Sequence, residues 1–171
     1  MGILNDLFGN NQANVSGPPA ITSVLPSAAI KEINAGSLPK LNVTTIMLAQ
    51  GETCHYVDKA CLVTKKIVRH YKNRNQGMSF RVAKGVTYRT GGGESHPIEE
   101  VVPVYTAGYL YLTDKRAIFV ARENAFDKKL ASLTAITPYT DALTLQFGSK
   151  AYSILLSTPR EAHKTLLMIG K

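Results

Sequence analysis

The sequence has no tryptophan, only two cysteines and no long apolar run. Cys54 and Cys61 are seven positions apart, so on one strand they would point to opposite faces, where a disulfide between them cannot form. Two sparse thiols are typical of a protein of the reducing cytosol. The apolar runs fall short of the ~20 residues that span a bilayer, and the N-terminus lacks the pattern of a secretory signal. We therefore predict a cytoplasmic protein.

Motifs of catalysis and of metal binding are also missing. The four histidines lie far apart in the sequence: His55, His70, His96 and His163. Cys54-His55 with Cys61 lacks the Cys-x-x-Cys and paired-histidine spacing of a zinc site. The run Gly91-Gly92-Gly93 lacks the Lys-Ser/Thr ending of a phosphate-binding loop. A solvated acidic loop is predicted from the three glutamates that follow this run: Glu94, Glu99 and Glu100. These patterns predict a non-enzymatic protein that needs no metal and no other cofactor.

Positive charge is in excess, and all of that excess can be assigned to one stretch. The net charge of +8 favours an acidic partner, such as membrane phosphates, nucleic acid or an acidic protein surface. No acidic residue occurs between Asp58 and Glu94, and this interval holds nine basic residues: Lys59, Lys65, Lys66, Arg69, Lys72, Arg74, Arg81, Lys84 and Arg89. Such a block of like charge repels itself, so a bound partner or counterions should compensate it.

The first 40 residues are predicted to form an arm with helical segments. A short first helix would place four apolar residues on one face: Ile3, Leu4, Leu7 and Phe8. This face is a candidate contact with a membrane or a partner, and the alternatives are packing on the domain or a frayed terminus. A second helix is predicted between Pro26 and Gly36, with Ser27 as its cap and Gly36 as its stop.

Residues 41–171 are predicted to form one β-rich domain. Seven strands are indicated by runs rich in β-branched and aromatic residues: Thr53–Val63, Met78–Thr90, Val101–Leu112, Arg116–Arg122, Leu130–Thr137, Leu143–Phe147 and Ala151–Ser157. Short polar connections imply antiparallel neighbours. A final helix starts at the capping box Thr158-Pro159-Arg160-Glu161 and would cover an open end of the sheet. The predicted fold is mainly β, a barrel or sandwich of about seven antiparallel strands capped by a C-terminal α-helix.

The clearest local motif is a hairpin at Gly108–Val120, which reads Gly-Tyr-Leu-Tyr-Leu-Thr-Asp-Lys-Arg-Ala-Ile-Phe-Val. Two β-branched and aromatic runs flank a tight polar turn. Asp114 is predicted to bond its own backbone and close this turn, and Thr113 and Arg116 bracket it.

This hairpin resembles the one at the centre of the GRAM and bacterial pleckstrin-homology-like domains. Gly51-Glu52 before the first strand and the strand pairs of Leu130–Ser157 add to the resemblance, which covers the chain from Leu41 to its C-terminus. It implies seven antiparallel strands closed by a C-terminal helix. Many eukaryotic members carry a tryptophan in that helix, and its absence here favours the GRAM-like or bacterial branch.

The resemblance also implies a binding site. Phosphoinositide-binding members hold head groups with the connection between their first two strands and with the flanking strands, and this connection corresponds here to Lys65–Gly77. Lysines act as point charges toward phosphates, whereas an arginine can grip two oxygens. The predicted anionic-ligand site consists of seven basic residues: Lys65, Lys66, Arg69, Lys72, Arg74, Arg81 and Lys84.

The predicted function is that of a module that docks on an anionic phospholipid surface or an acidic protein surface, peripherally at the inner face of the membrane. One alternative is a solvated basic loop without a ligand. Another is a self-assembling scaffold or adaptor that forms a homo-oligomer through strand edges and the N-terminal arm. In a third, nucleic-acid bases stack on Tyr71, Phe80 and Tyr88. We place nucleic acid below lipid, because no RNP-type or helix-turn-helix signature is present.

Overall fold

The structure is a computed structural model that describes residues 2–8, 17–73, 78–83, 86–90 and 95–170. This part of the chain contains three α-helices: α1 (Ile3–Phe8), α2 (Ser27–Asn34) and α3 (Pro159–Ile169). It contains nine strands: β1 (Cys54–Asn73), β2 (Met78–Ala83), β3 (Val86–Thr90), β4 (Ser95–Thr113), β5 (Arg116–Ala121), β6 (Phe126–Lys129), β7 (Leu133–Pro138), β8 (Ala142–Phe147) and β9 (Lys150–Leu156). The chain forms two compact units. The first unit is Met1–Thr64 with Pro103–Lys171, and the second unit is Lys65–Val102.

The main sheet is antiparallel and has the strand order β6-β5-β4-β1-β9-β8-β7. A separate two-stranded sheet pairs β2 with β3. The predicted mainly β fold, with about seven antiparallel strands and a C-terminal helix, is confirmed. Its barrel form is wrong: within the described residues the sheet stays open, and β6 and β7 are its two edges. The segment that connects β6 to β7 forms a 3-10 turn at Leu130–Ser132, and these two edge strands do not pair with each other.

The largest hydrophobic cluster of the first unit includes residues of helices α2 and α3 together with residues of the sheet. Ile33 of α2 and Leu166 of α3 are buried in this cluster, which also contains Leu110 of β4 and Phe119 of β5. Full burial of an apolar side chain of this size stabilises a fold by about 1.5–3 kcal/mol. The C-terminal helix therefore covers apolar residues of the sheet, as its amphipathic pattern predicts.

The starts of two helices differ from the predictions in their caps. α3 begins at Pro159 as predicted, but the Thr158 hydroxyl donates to Asp58 Oδ2 at 2.6 Å and does not cap the helix backbone. A buried carboxylate is a strong acceptor, which explains why the hydroxyl points inward. α2 takes Pro26 as its cap, so the prediction that Ser27 caps this helix is wrong.

Helix α1 is anchored in the first unit. Ile3 is fully buried in a second hydrophobic cluster, beside Cys61, Val63 and Leu155. The Ile3 N–H donates to Asp141 Oδ1 at 3.0 Å. The predicted first helix is confirmed. Its apolar face packs on the domain, which was one of the predicted alternatives.

Three predicted strand boundaries are wrong around the basic stretch. β1 continues to Asn73, so residues 65–73 lie in a strand and not in the predicted connection. β4 begins at Ser95 and therefore includes Glu99 and Glu100, which the sequence assigned to an acidic loop. The predicted strand Met78–Thr90 is the hairpin of β2 and β3. The charges misled these predictions, because charged side chains of a strand can keep their head groups in water while the backbone remains paired.

Candidate docking surface

The hairpin motif and Gly51-Glu52 meet in one buried polar network. The Glu52 side chain is fully buried and accepts from Arg116 Nε at 2.8 Å and Nη2 at 3.0 Å. The Thr113 hydroxyl and the Ala49 N–H donate to the same carboxylate, each at 2.7 Å. Burial by itself raises the pKa of Glu52, but these hydrogen bonds outweigh it and lower the pKa to about 2. Glu52 is therefore charged in the folded protein at neutral pH.

The turn between β4 and β5 is closed by Thr113, and the prediction that Asp114 closes it is wrong. Thr113 Oγ1 accepts from the N–H groups of Lys115 at 3.2 Å and Arg116 at 2.9 Å. Its proton goes to Glu52, which leaves both oxygen lone pairs for the turn. Asp114 Oδ1 accepts instead from the Thr53 N–H at 2.9 Å. The polar groups of the hairpin turn thus bond to one another and to Glu52 and Thr53, and these bonds hold the hairpin in position.

A second buried carboxylate, Asp58, joins segments that are far apart in the sequence. It is fully buried and accepts from Ser23 Oγ at 2.7 Å, from the Val24 N–H at 2.7 Å and from Thr158 Oγ1 at 2.6 Å. The sequence analysis missed this role. The available signal was one acidic residue inside an apolar strand segment, because a charge buried there needs several donors. Asp58 holds the chain before α2 against the start of α3.

The second unit contains the predicted anionic-ligand residues. Three of them lie on β1 with exposed side chains: Lys65, Lys66 and Arg69. The structure therefore brings three of the seven together within five positions of one strand. Lys72 also lies on β1, and Arg81 lies on β2. Arg74 and Lys84 lie outside the described residues.

In the second unit, the neighbouring strands β1 and β4 form a ribbon with two distinct faces. Arg69 Nε lies 2.8 Å from Glu99 Oε1, so these two side chains are on the same side. Alternate residues of a strand share a face. Among the residues whose side chains the structure describes, the Ile67 face therefore includes Lys65, Ile67, Arg69, Glu99 and Val101. The Val68 face includes Lys66, Val68, Glu100 and Val102.

The Ile67 face exposes apolar side chains next to charged ones. Ile67 is 60% exposed and Val101 is 50% exposed, whereas Val68 and Val102 of the other face are half-buried. Arg69 and Glu99 are also largely in water, with 66% and 53% of their side chains exposed. A surface of this kind can bury apolar area and meet anions in the same contact.

The other predicted contact, the apolar face of α1, is turned inward. Ile3 is fully buried, and Leu4, Leu7 and Phe8 are half-buried against the same cluster. Membrane insertion through these residues would require α1 to leave the sheet. Among the described residues, the large apolar side chains that are exposed lie outside α1. Two of them, Ile67 and Val101, are on the Ile67 face beside cations.

The two cysteines are free and buried. They belong to different clusters, in agreement with the opposite faces that their spacing predicts. Burial raises the pKa of both Cys54 and Cys61 to about 11. The thiols are therefore protonated at neutral pH, a form that is a poor nucleophile.

In the part of the chain that the structure describes, no three or more His, Cys, Asp and Glu side chains are grouped to hold a metal ion. None of the helices in these ranges is long and apolar enough to cross a bilayer. No protein-family model, curated protein or solved structure matches the chain. The functional interpretation therefore depends on the chemistry of the exposed surface.

Proposed function

We propose that the protein is a non-enzymatic docking module that binds an anionic phospholipid surface peripherally through the ribbon. The observation that carries this proposal is the exposed Ile67, which stands among the exposed cations Lys65, Lys66 and Arg69. Peripheral membrane binding combines apolar side chains that enter the headgroup boundary with cations that meet the phosphates. Each basic residue near an anionic surface contributes about 1 kcal/mol, so three give a measurable affinity.

The fold supports the same proposal. Its strand order and C-terminal helix are compatible with the pleckstrin-homology-like shape that the sequence resembles. In that comparison β1 and β4 correspond to the first two strands, the region where phosphoinositide-binding members hold head groups. The ribbon is thus the part of the chain where a related site would lie.

Vesicle co-sedimentation tests the proposal. The probe is phosphatidylcholine vesicles with and without phosphatidylserine, at low and high salt. The variant K65A/K66A/R69A removes three exposed charges from the ribbon, and K31A/K40A/K150A removes three exposed charges from the first unit as a matched control. We expect the ribbon variant to lose about a hundredfold in binding to anionic vesicles, and the control to lose far less. Equal losses, or equal wild-type binding to neutral vesicles, would overturn the proposal. If the protein binds neither kind of vesicle, the membrane proposal fails, and an acidic protein surface becomes the predicted partner to test.

A second candidate function, self-assembly, is favoured by the edge strand β7. Its six residues, Leu133–Pro138, include no charge, whereas the four residues of β6 at the other edge include three: Asp127, Lys128 and Lys129. Charged side chains protect sheet edges from pairing with another chain. Light scattering tests this candidate: a multimeric mass that Ala135→Lys converts to a single-chain mass would support pairing through β7, and a single-chain mass of the wild type would exclude it.

A further inference from the structure

We infer that the ribbon docks on the membrane through the Ile67 face alone, and that Glu99 restrains this docking by holding Arg69; the inference rests on the proposed function. It assigns an orientation to the bound ribbon and a regulatory role to an acidic residue. Both follow from the ion pair and from the exposure of the neighbouring apolar side chains.

The choice of face follows from the difference between the two sides of the ribbon. Among the described side chains, each side has two apolar ones, and of these only Ile67 and Val101, on the Ile67 face, are at least half exposed. Val68 and Val102 are half-buried, so they offer less area to an acyl boundary. The gain from apolar contact is proportional to the area that leaves water. A planar surface therefore gains most from contact with the Ile67 face.

The charges of the Ile67 face are Lys65, Arg69 and Glu99. Glu99 Oε1 accepts from Arg69 Nε at 2.8 Å, so the arginine already has an anionic partner before any lipid is bound. Both side chains are mostly in water, where such a pair is weak because solvent screens it. The pair is thus strong enough to orient Arg69 and weak enough for another anion to replace it.

Docking exchanges one anion for another. A phosphate of the bilayer can accept two N–H groups of the Arg69 guanidinium, an arrangement that a carboxylate bound at Nε alone does not match. Glu99 is at the same time repelled by the phosphates of the surface. Its negative charge therefore lowers the affinity of the face for an anionic surface.

The variants Glu99→Gln and Glu100→Gln test this inference, because each removes one negative charge from neighbouring positions of β4. The charges lie on opposite faces, so only Glu99→Gln releases Arg69. We expect both variants to bind vesicles of phosphatidylserine and phosphatidylcholine more tightly than the wild type. The part of the Glu99→Gln gain that depends on Arg69 should be about fivefold, the contribution of one released basic residue. In an R69A background Glu99→Gln should therefore lose this part of its gain, whereas the gain of Glu100→Gln should not change.

The outcomes separate the inference from the function on which it rests. If the gain of Glu99→Gln is the same in the wild-type and R69A backgrounds, the role of Glu99 is overturned, while salt-sensitive binding that K65A/K66A/R69A weakens about a hundredfold would leave the proposed function standing. If the gain of Glu100→Gln depends on Arg69 as much as that of Glu99→Gln does, the choice of face is overturned. If neither the wild type nor Glu99→Gln binds anionic vesicles, both the inference and the proposed function fail. Urea unfolding of each variant shows whether the fold is intact, and little change is expected because the exchanged groups are exposed.

Discussion

Arg116 Nε lies 2.8 Å from Glu52 Oε1, although the two residues are 64 positions apart in the sequence. The contact joins the hairpin motif to Gly51-Glu52, two of the three elements that the sequence resemblance uses. The same guanidinium pairs with Asp127 of β6 and donates to the Met47 carbonyl at 2.6 Å. One arginine thus holds together the loop before β1, the β4–β5 hairpin and an edge strand.

The first prediction concerns the pH dependence that this network creates. The pKa of Glu52 is lowered from its ordinary value of 4.5 to about 2 in the folded protein. A lowered carboxyl pKa stabilises the fold fully above pH 4.5, and this stabilisation is lost as the pH falls toward about 2. We expect the free energy of unfolding, measured with urea, to decrease over this window in the wild type and to change less in Glu52→Gln.

The control for this experiment is Glu123→Gln, which makes the same substitution at an exposed glutamate instead of the buried one. At neutral pH, Glu52→Gln should cost about 3 kcal/mol, because it leaves Arg116 without its buried partner. If both variants follow the wild-type curve, Glu52 is not the group that couples folding to pH.

The second prediction concerns Asp58. Asp58→Ala would leave two hydroxyls and the Val24 N–H without their acceptor, and should cost about 3 kcal/mol of unfolding free energy. It should also speed hydrogen exchange at the Val24 amide, because this amide donates to the lost carboxylate. Asp114→Ala is the comparison, since Asp114 is exposed and accepts from the Thr53 N–H. Equal costs for the two substitutions would contradict the anchoring role of Asp58.

The third prediction concerns the close approach of β4 and β5 at Gly108. A Cβ added at this position would lie 2.4 Å from the Val120 carbonyl oxygen and 2.8 Å from Phe119 Cζ. We expect Gly108→Ala to lower the unfolding free energy by about 2 kcal/mol, because the backbone must shift to relieve the overlap. Gly17→Ala has no atom within 4 Å of the new Cβ and should be nearly neutral. A neutral Gly108→Ala would mean that the two strands can separate without cost.

Elements with a strong local pattern were predictable from the sequence. The β4–β5 hairpin and α3 follow from turn residues, apolar alternation and Pro159, each of which acts over a few neighbouring positions. Strand β6 was missed. Three of its four residues are charged, and its extended form comes from pairing with β5, where Asp127 lies opposite Ile118.

The candidate site was predictable in composition but not in geometry. The gap in acidic residues directed attention to Lys65, Lys66 and Arg69, and the structure has all three on β1. The division into two faces, and the pairing of Arg69 with Glu99, depend on how β1 lies beside β4. No local pattern encodes that register, because it is set by contacts between strands distant in the sequence.

The last prediction concerns the apolar part of the docking surface. Ile67→Ser removes the more exposed of the two described apolar side chains of the Ile67 face. It should weaken partition to anionic vesicles by about tenfold, the value of roughly half of a buried isoleucine. Salt should not reduce this effect, whereas it should reduce the effect of removing lysines, because salt screens charges and not apolar contacts.

Val120→Ser is the matched control for Ile67→Ser, since Val120 is a 39% exposed β-branched residue of the first unit. Ile67 is mostly in water, so its substitution should change the unfolding free energy by no more than about 0.5 kcal/mol. A loss of binding would then reflect the surface and not the fold. If Ile67→Ser and Val120→Ser bind vesicles equally well, the ribbon does not insert apolar side chains, and whatever binding remains must come from its cations.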